Sequence, residues 1–571
     1  MPAIELDALH FSYPSPLPGG LPVSVLQGVS FSVPPGQSIA ITGATGCGKT
    51  TLALLLAGLA PAMTGGTATG RVLIGSLDAL HTSPASLSHT VGIVFQEPER
   101  QLFNMTVAEE IAFGLEARAL SPAEISTRLA QVLQQVGLAG LEHRAPWQLS
   151  GGQQKRLAIG CIIAMQPAVM VLDEPMAGLD PVGRREVAAL LAELSASTGA
   201  TVIVLEKDAE FIARWAQRVL VLHEGRVVHD GSPAAVYHAV TDLQQRGVAV
   251  PQMAELAHAL RTRGEEAAFL TASQALHWMR SRRPAWRVAA TAVVPPAAAA
   301  ATLPAAIEAD SLSFSYDRTT PALDRLSLHV PRGQFVAVAG PNGGGKSTLA
   351  RHFIGLLRPQ SGTLQIEGHP TAQQTVAELA RTVGYVFQNP DYQIFASTVR
   401  QEISVGPQAT GLRGAALAER VDDALAAFAL AGCAELPPAV LGYGVRRLVT
   451  LASVWAMQPA IWVLDEPTTG LDARLSARLM QRLHDQHAAG RTILLITHDL
   501  RLAAEAERLV VISRGQVVQD GIPAQVFQDA AALAAVGLRP PAVTRLALKL
   551  APAGFPRLAL SVDEFMRFWQ P

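Results

Sequence analysis

An α/β fold built twice along one chain is what this sequence predicts, and three observations predict it. First, long segments recur: LHFSYPSP at Tyr13 returns as LSFSYDRT at Tyr316, and AMQPAVMVLDEPMAGLD at Asp173 returns as AMQPAIWVLDEPTTGLD at Asp465. VGIVFQEPERQLFNMTVAEEIAFG at Gln96 likewise returns as VGYVFQNPDYQIFASTVRQEISVG at Gln388. Second, the β-branched runs SIAITG and FVAVAG each lead into a glycine loop and then a Leu/Ala-rich helix. Third, VMVLDEP and IWVLDEP are apolar without interruption, as strands of a parallel sheet covered on both faces must be. Gln96 and Gln388 lie 292 residues apart, as do Asp173 and Asp465, so the repeat has the size of a domain and not of a solenoid unit.

The organisation that follows is a first copy over 4–245, a helical appendage with an Ala/Pro-rich linker over 246–306, a second copy over 307–538 and a helical appendage over 539–571. PPAVTRLALKL in the last segment echoes PQMAELAHAL in the second, so each copy carries its own appendage. The linker run TAVVPPAAAAATLPAA has little to pack and reads as a semi-rigid spacer.

Bulk properties exclude several function classes. A net charge of −2 removes the electrostatic motive for a standing nucleic-acid partner. Three cysteines, Cys47, Cys161 and Cys433, form no CxxC pair, which excludes a disulfide framework or a zinc ribbon and fits a reducing compartment. The acidic start lacks a basic n-region and is not expected to be a signal peptide. The most apolar stretch, Ala289 to Ala306, is broken by Pro295, Pro296 and Pro304, so no span of about 20 apolar residues crosses a bilayer.

Two glycine loops carry the first chemistry. Gly43, Ala44, Thr45, Gly46, Cys47, Gly48, Lys49 and Thr50 fit G-x-x-x-x-G-K-[ST], and so do Gly340, Pro341, Asn342, Gly343, Gly344, Gly345, Lys346 and Ser347. Glycines let backbone N–H groups curl around phosphates, and the following helix presents its positive end to them. Lys49 and Lys346 are expected to bridge β- and γ-phosphates, and Thr50 and Ser347 to hold Mg²⁺. Cys47 reads as a small residue tolerated in its loop. Asp173 and Asp465 at the strand ends can reach Mg²⁺, while Glu174 and Glu466 are placed to orient or deprotonate water.

With these residues in order, the chain resembles the ABC ATPase superfamily. The loop, Gln96, Leu149-Ser150-Gly151-Gly152-Gln153, Leu172-Asp173-Glu174-Pro175 and Gly178-Leu179-Asp180 follow its pattern, and LSGGQ is its own mark. The resemblance implies two RecA-like P-loop cassettes, each with an antiparallel β subdomain, a helical subdomain and a small C-terminal helical appendage. It also implies ATP and Mg²⁺ as cofactors, with the nucleotide contacts reaching Thr51 and Thr348. Tyr13 and Tyr316 would stack on adenine, Gln96 and Gln388 would sense Mg²⁺ and a membrane subunit, and His498 would contact the γ-phosphate. The wording around the glutamines resembles the energy-coupling-factor branch, including cobalt and nickel uptake ATPases. That implies import of a vitamin or metal ion through separate transmembrane coupling and substrate-binding subunits, with this chain peripheral on the cytoplasmic face of the membrane.

Cassettes of this superfamily pair head to tail, so the resemblance gives each ATP one phosphate loop and the opposite signature. Leu441-Gly442-Tyr443-Gly444-Val445 replaces LSGGQ in the second copy, losing the hydroxyl and adding a ring. In the first copy VIVLEKDA replaces LLITHDL, so Lys207, or Glu206 on a strict offset, stands for His498. Both losses enter the site built on Lys49, which leaves the site built on Lys346, Asp465, Glu466, His498 and Ser150 intact. One hydrolytic and one mainly nucleotide-holding site are therefore expected. The alternative, a ribosome-associated ABC-type translation factor, usually carries a long basic linker; here Met279-Arg-Ser-Arg-Arg283 reads as a solvated helix end.

Overall fold

The structure, a computed structural model, describes residues 1–15, 19–98, 101–197, 199–282, 304–317, 319–555 and 558–569. The Ala/Pro-rich linker from Ala289 falls, as far as residue 303, outside the described residues. Two compact units result: Met1–His258 with Ala268–Thr271 and Asp472–Arg474, and Ala259–Ala267 with Ala272–Leu471 and Leu475–Pro571.

The first unit holds two sheets. Strands Val23–Val33, Ile4–Tyr13, Thr67–Ile74 and Leu77–Asp78 form a four-stranded antiparallel sheet in that order. The second sheet runs Arg226–Gly231, Arg218–His223, Ser38–Thr42, Thr201–Leu205, Val169–Asp173, Val91–Val94. All its pairings are parallel except that of the edge strand Arg226–Gly231. Ser38–Thr42, Val169–Asp173 and Thr201–Leu205 are buried at every residue, because neighbouring strands and helices cover both faces. The apolar runs of the sequence are thereby explained.

The second unit repeats the plan. Pro321–Pro331, Ala305–Ser315, Ser361–Ile366 and His369–Pro370 form the antiparallel sheet. Val383–Val386, Ile461–Asp465, Thr492–Ile496, Phe335–Ala339, Arg508–Ser513 and Gln516–Gly521 form the larger one. Phe335–Ala339 sits between two parallel neighbours that lie far downstream in the chain, and the carboxyl ends of such strands are where open α/β sheets bind ligands.

The expected appendages are helical. Gln252–Arg261 and Ala272–Arg282 follow the first copy, and Ala542–Leu550 and Val562–Phe568 follow the second. Inside the second unit Trp278 stacks on Trp569 with ring centroids 5.8 Å apart, and Arg263 donates to the carbonyls of Met566 and Trp569 at 2.7 Å.

Packing of the edge strand Val383–Val386 depends on Gly384, where a Cβ would lie 2.5 Å from Pro459 Cγ and 2.7 Å from Val454 Cγ1. Gly384→Ala should cost about 1–3 kcal/mol through overpacking. The measurement is scanning calorimetry, which should show a lowered unfolding transition with an unchanged far-UV spectrum in the cold.

Candidate nucleotide sites

Each glycine loop leaves the carboxyl end of a central strand and enters a helix, Lys49–Leu56 or Lys346–Phe353. The helix-capping glycines Gly48 and Gly345 sit at φ 106° and 105°, where a side chain would be strained. Lys49 is buried and donates from Nζ to the carbonyls of Gly43 at 2.8 Å and Ala44 at 3.0 Å. Lys346 does the same to Gly340 at 2.9 Å and Pro341 at 2.7 Å. The loops are thus closed around their own ammonium groups, which phosphate oxygens would attract in place of the carbonyls. Cys47 is buried, with its Sγ 3.5 Å from Lys49 Nζ. Tyr13 and Tyr316 place their hydroxyls 3.3 Å from the Oγ1 atoms of Thr51 and Thr348, in the first turns of the helices that follow the loops.

The acidic pairs end the neighbouring strands. Glu174 and Glu466 adopt φ of 45° and 49°, a left-handed backbone that costs a non-glycine residue of order 1 kcal/mol and collects at functional sites. Their N–H groups are anchored on Leu205 O at 2.8 Å and Ile496 O at 2.9 Å. Asp173 and Asp465 are each 2% exposed and take a hydrogen bond from Thr50 and Ser347 respectively. Their Oδ1 atoms are buried without a hydrogen-bond partner among the described residues. Burial, and then the charge of Glu174, pushes the Asp173 carboxyl up to about 6, and burial pushes Asp465 upward as well. A hard oxygen donor with no partner, next to a threonine or serine hydroxyl and below a phosphate loop, fits Mg²⁺. Thr50 with Asp173, and Ser347 with Asp465, would hold it, and the ion would supply charge neutralisation on phosphate oxygens.

Strand register decides between Lys207 and Glu206. Asp173 pairs with Leu205 and Asp465 with Ile496, so Glu206 corresponds to Thr497 and Lys207 to His498. The strict offset fails because the first copy has one more residue than the second between its aspartate after Gly-Leu (Asp180, Asp472) and its next strand (Thr201, Thr492). Glu206 turns inward instead and accepts from the N–H groups of Met176 at 3.0 Å, Lys207 at 2.7 Å and Asp208 at 3.1 Å. Burial raises its carboxyl to about 7.

The two switch positions treat their glutamates differently. Lys207 Nζ lies 2.8 Å from Glu174 Oε1, and Gln96 Nε2 donates to Glu174 Oε2 at 2.9 Å. Burial pushes the Glu174 carboxyl up, but Lys207 and then Lys49 outweigh it and hold the group below its ordinary range. A carboxylate engaged at both oxygens, one of them by an ammonium, is a weak base. In the second copy His498 Nδ1 lies 2.7 Å from Glu466 Oε1. An imidazole can donate through one ring nitrogen and accept through the other, which a Lys ammonium cannot match.

The signature helices differ at their first residue. Ser150 caps helix Gly151–Met165: its Oγ accepts from Gln153 N at 3.3 Å, and Gln153 Oε1 accepts from Ser150 N at 2.9 Å. Gly442 holds the same backbone at φ −62° before helix Tyr443–Met457 but has no capping side chain. Tyr443 lies against Gly470, where a Cβ would come within 2.4 Å of the ring, and its hydroxyl donates to Gln388 O at 3.4 Å.

Sequence reasoning missed the groups that fix the glutamine segments. Lys155, one turn into its helix, donates to the carbonyls of Gln96 at 2.5 Å and Glu174 at 3.2 Å, and Arg447 binds the carbonyls of Phe387 and Gln388. Glu110 accepts from Phe103 N at 3.0 Å and Asn104 N at 2.7 Å, and Glu402 from Phe395 N at 3.0 Å and Ala396 N at 2.8 Å. The glutamate repeated in AEEIAFG and RQEISVG was the available signal.

The family described as "ABC transporter" matches residues 26–177 and 323–469. A Methanosarcina acetivorans protein described as "Putative ABC transporter ATP-binding protein" is 37% identical over 99% of this chain and 94% of its own length. The Bacillus subtilis protein described as "Putative HMP/thiamine import ATP-binding protein YkoD" is 31% identical over 92% of both chains. A solved structure of CbiO1 from Clostridium perfringens, described as part of the transporter complex CbiONQ, is 32% identical, covers 42% of this chain and 96% of its own, and has a TM-score of 0.36.

Two independent loops should give two nucleotides per chain. Lys49→Ala or Lys346→Ala should each reduce the stoichiometry of an ATP analogue from two to one in equilibrium binding, and the double substitution should abolish it.

Proposed function

Because the chain belongs to the ABC transporter family of ATP-binding proteins, we propose that it hydrolyses ATP to energise import of a small nutrient through separate membrane subunits. The nutrient class is a vitamin, a vitamin precursor or a metal ion such as cobalt or nickel. The work is done at the cytoplasmic face of the membrane. No helix among the described residues is long and apolar enough to cross a membrane, so the translocation path belongs to the partners. Exposed apolar groups beside each glutamine segment suit such partners: Phe103 and Phe113, edge to face at 5.0 Å, with Met105 in the first cassette, and Tyr392 with Phe395 in the second. The "HMP/thiamine import" description of the Bacillus relative supports the vitamin branch of the reading.

The observation that carries the hydrolytic assignment is the 2.7 Å contact between His498 and Glu466 behind an intact phosphate loop. Glu466 takes the role of general base, His498 holds it and meets the γ-phosphate, and Lys346 and Ser347 bind the triphosphate and Mg²⁺. Head-to-tail pairing, as the family resemblance implies, adds the Ser150 hydroxyl and the Gly151 and Gly152 amides to that ATP. The Lys207–Glu174 ion pair and the loss of the signature serine at Gly442 both weaken the other ATP, which is held more than hydrolysed.

Glu466→Gln should lower steady-state ATPase turnover by about 100-fold or more, the scale of a lost general base. Glu174→Gln should change it by less than about 3-fold on the same scale. Equal losses would remove the asymmetry, and so would a gain from Gly442→Ser larger than the loss from Ser150→Ala. For the transport assignment, chain purified with its membrane subunits and reconstituted in vesicles should take up one member of a vitamin and metal panel in an ATP-dependent way. Phe103→Asp with Phe395→Asp should release the membrane subunits; co-purification with ribosomes instead would overturn the reading.

A further inference from the structure

The second cassette contains a polar chain that the first lacks, and it ends on the aspartate beneath the phosphate loop. Strand Val383–Val386 runs parallel to Ile461–Asp465 with Tyr385 opposite Val463. The Tyr385 side chain is buried, and its hydroxyl donates to Asp465 Oδ2 at 3.2 Å. Arg351, in the last turn of helix Lys346–Phe353, also hydrogen-bonds that hydroxyl. The phenol ring is wedged edge-on against Phe387, with centroids 4.6 Å apart and planes at 81°. In the first cassette the matching positions are Leu54 and Ile93, both apolar.

We propose that Tyr385, itself held by Arg351, is a positioning residue that sets the carboxylate of Asp465 for the divalent cation of the second cassette. The inference rests on the assignment of Asp465 to Mg²⁺. A carboxylate turns about its last side-chain bond unless something fixes its plane. The donor on Oδ2 does so, and leaves the partnerless Oδ1 with its lone pairs for a cation. Outer hydrogen bonds of this kind orient a metal ligand and change affinity by about 10–100-fold when removed. Buried tyrosine hydroxyls as a rule take a hydrogen-bond partner, and a backbone carbonyl would serve a purely packing role. Here the partner is the metal-ligand candidate, and the guanidinium behind it has no counterpart in the first cassette.

Tyr385→Phe keeps the ring and removes the donor, so the fold is not at stake. Mn²⁺ titrated by electron paramagnetic resonance into the full chain saturated with a non-hydrolysable ATP analogue should show two bound ions. Tyr385→Phe should weaken one of them about 10-fold and leave the other unchanged. The Mg²⁺ concentration for half-maximal ATPase should rise by a similar factor, with turnover restored to within about 2-fold at saturating Mg²⁺. Arg351→Met should shift both readouts in the same direction, and the pair should be less than additive because they act in one chain. Ile93→Val in the first cassette should move neither. A Mn²⁺ isotherm of Tyr385→Phe that superimposes on the parent, or a loss of turnover that Mg²⁺ does not restore, would overturn the inference. A parent chain that binds no Mn²⁺ with the analogue present would overturn the underlying metal assignment together with it.

Discussion

Four carboxylates buried at the ends of two apolar sheets are the constraint on which both cassettes are organised. Asp173, Glu174, Asp465 and Glu466 are each at most 8% exposed, and a sheet of valine, isoleucine and leucine offers them nothing. Charge in such a place must be paired, coordinated or neutralised. The chain meets the demand with lysines folded back into the phosphate loops, with hydroxyls at the first helical turn, and with a partner on each glutamate, Lys207 on Glu174 and His498 on Glu466. Nucleotide and cation chemistry then draws on groups the fold already has to place there.

The two cassettes satisfy this demand by different means, and the means have functional weight. An ammonium on Glu174 is a stable answer to burial and a poor one for catalysis, because it stabilises the charged carboxylate that a base must give up. An imidazole on Glu466 puts a directional ring contact where the first cassette has a full positive charge. Fusion into one chain is what permits this divergence. Two copies of a single cassette would have to share every substitution, whereas here each half can specialise without a matching change in the other.

Much of this was legible because it is local. A glycine loop between strand and helix, a helix-capping Ser150 with Gln153 three residues on, and an apolar run ending in Asp-Glu each declare themselves within ten residues. What escaped depends on register or on contacts between distant segments. Lys207 could not be separated from Glu206 until the pairing of Thr201–Leu205 with its neighbour showed where the extra residue lies. Lys155 reaches carbonyls at Gln96 and Glu174 from another element. The Arg351–Tyr385–Asp465 chain joins a helix and two strands, and as sequence it is two separate differences, Leu54 to Arg351 and Ile93 to Tyr385, in segments far apart along the chain.

The start of helix Tyr443–Met457 shows packing standing in for a hydrogen bond. Loss of a serine cap removes about 1 kcal/mol from a helix, and at Gly442 the aromatic ring of the next residue is anchored instead on Gly470 and on the Gln388 carbonyl. The helix start survives on packing where its twin survives on a hydroxyl. A serine placed at Gly442 would add a hydroxyl beside a ring that is already anchored, and removal of the Tyr443 ring would strip the anchor while the cap is still missing. The two positions are therefore coupled, and the start of this helix depends on the pair of residues it carries rather than on either one alone.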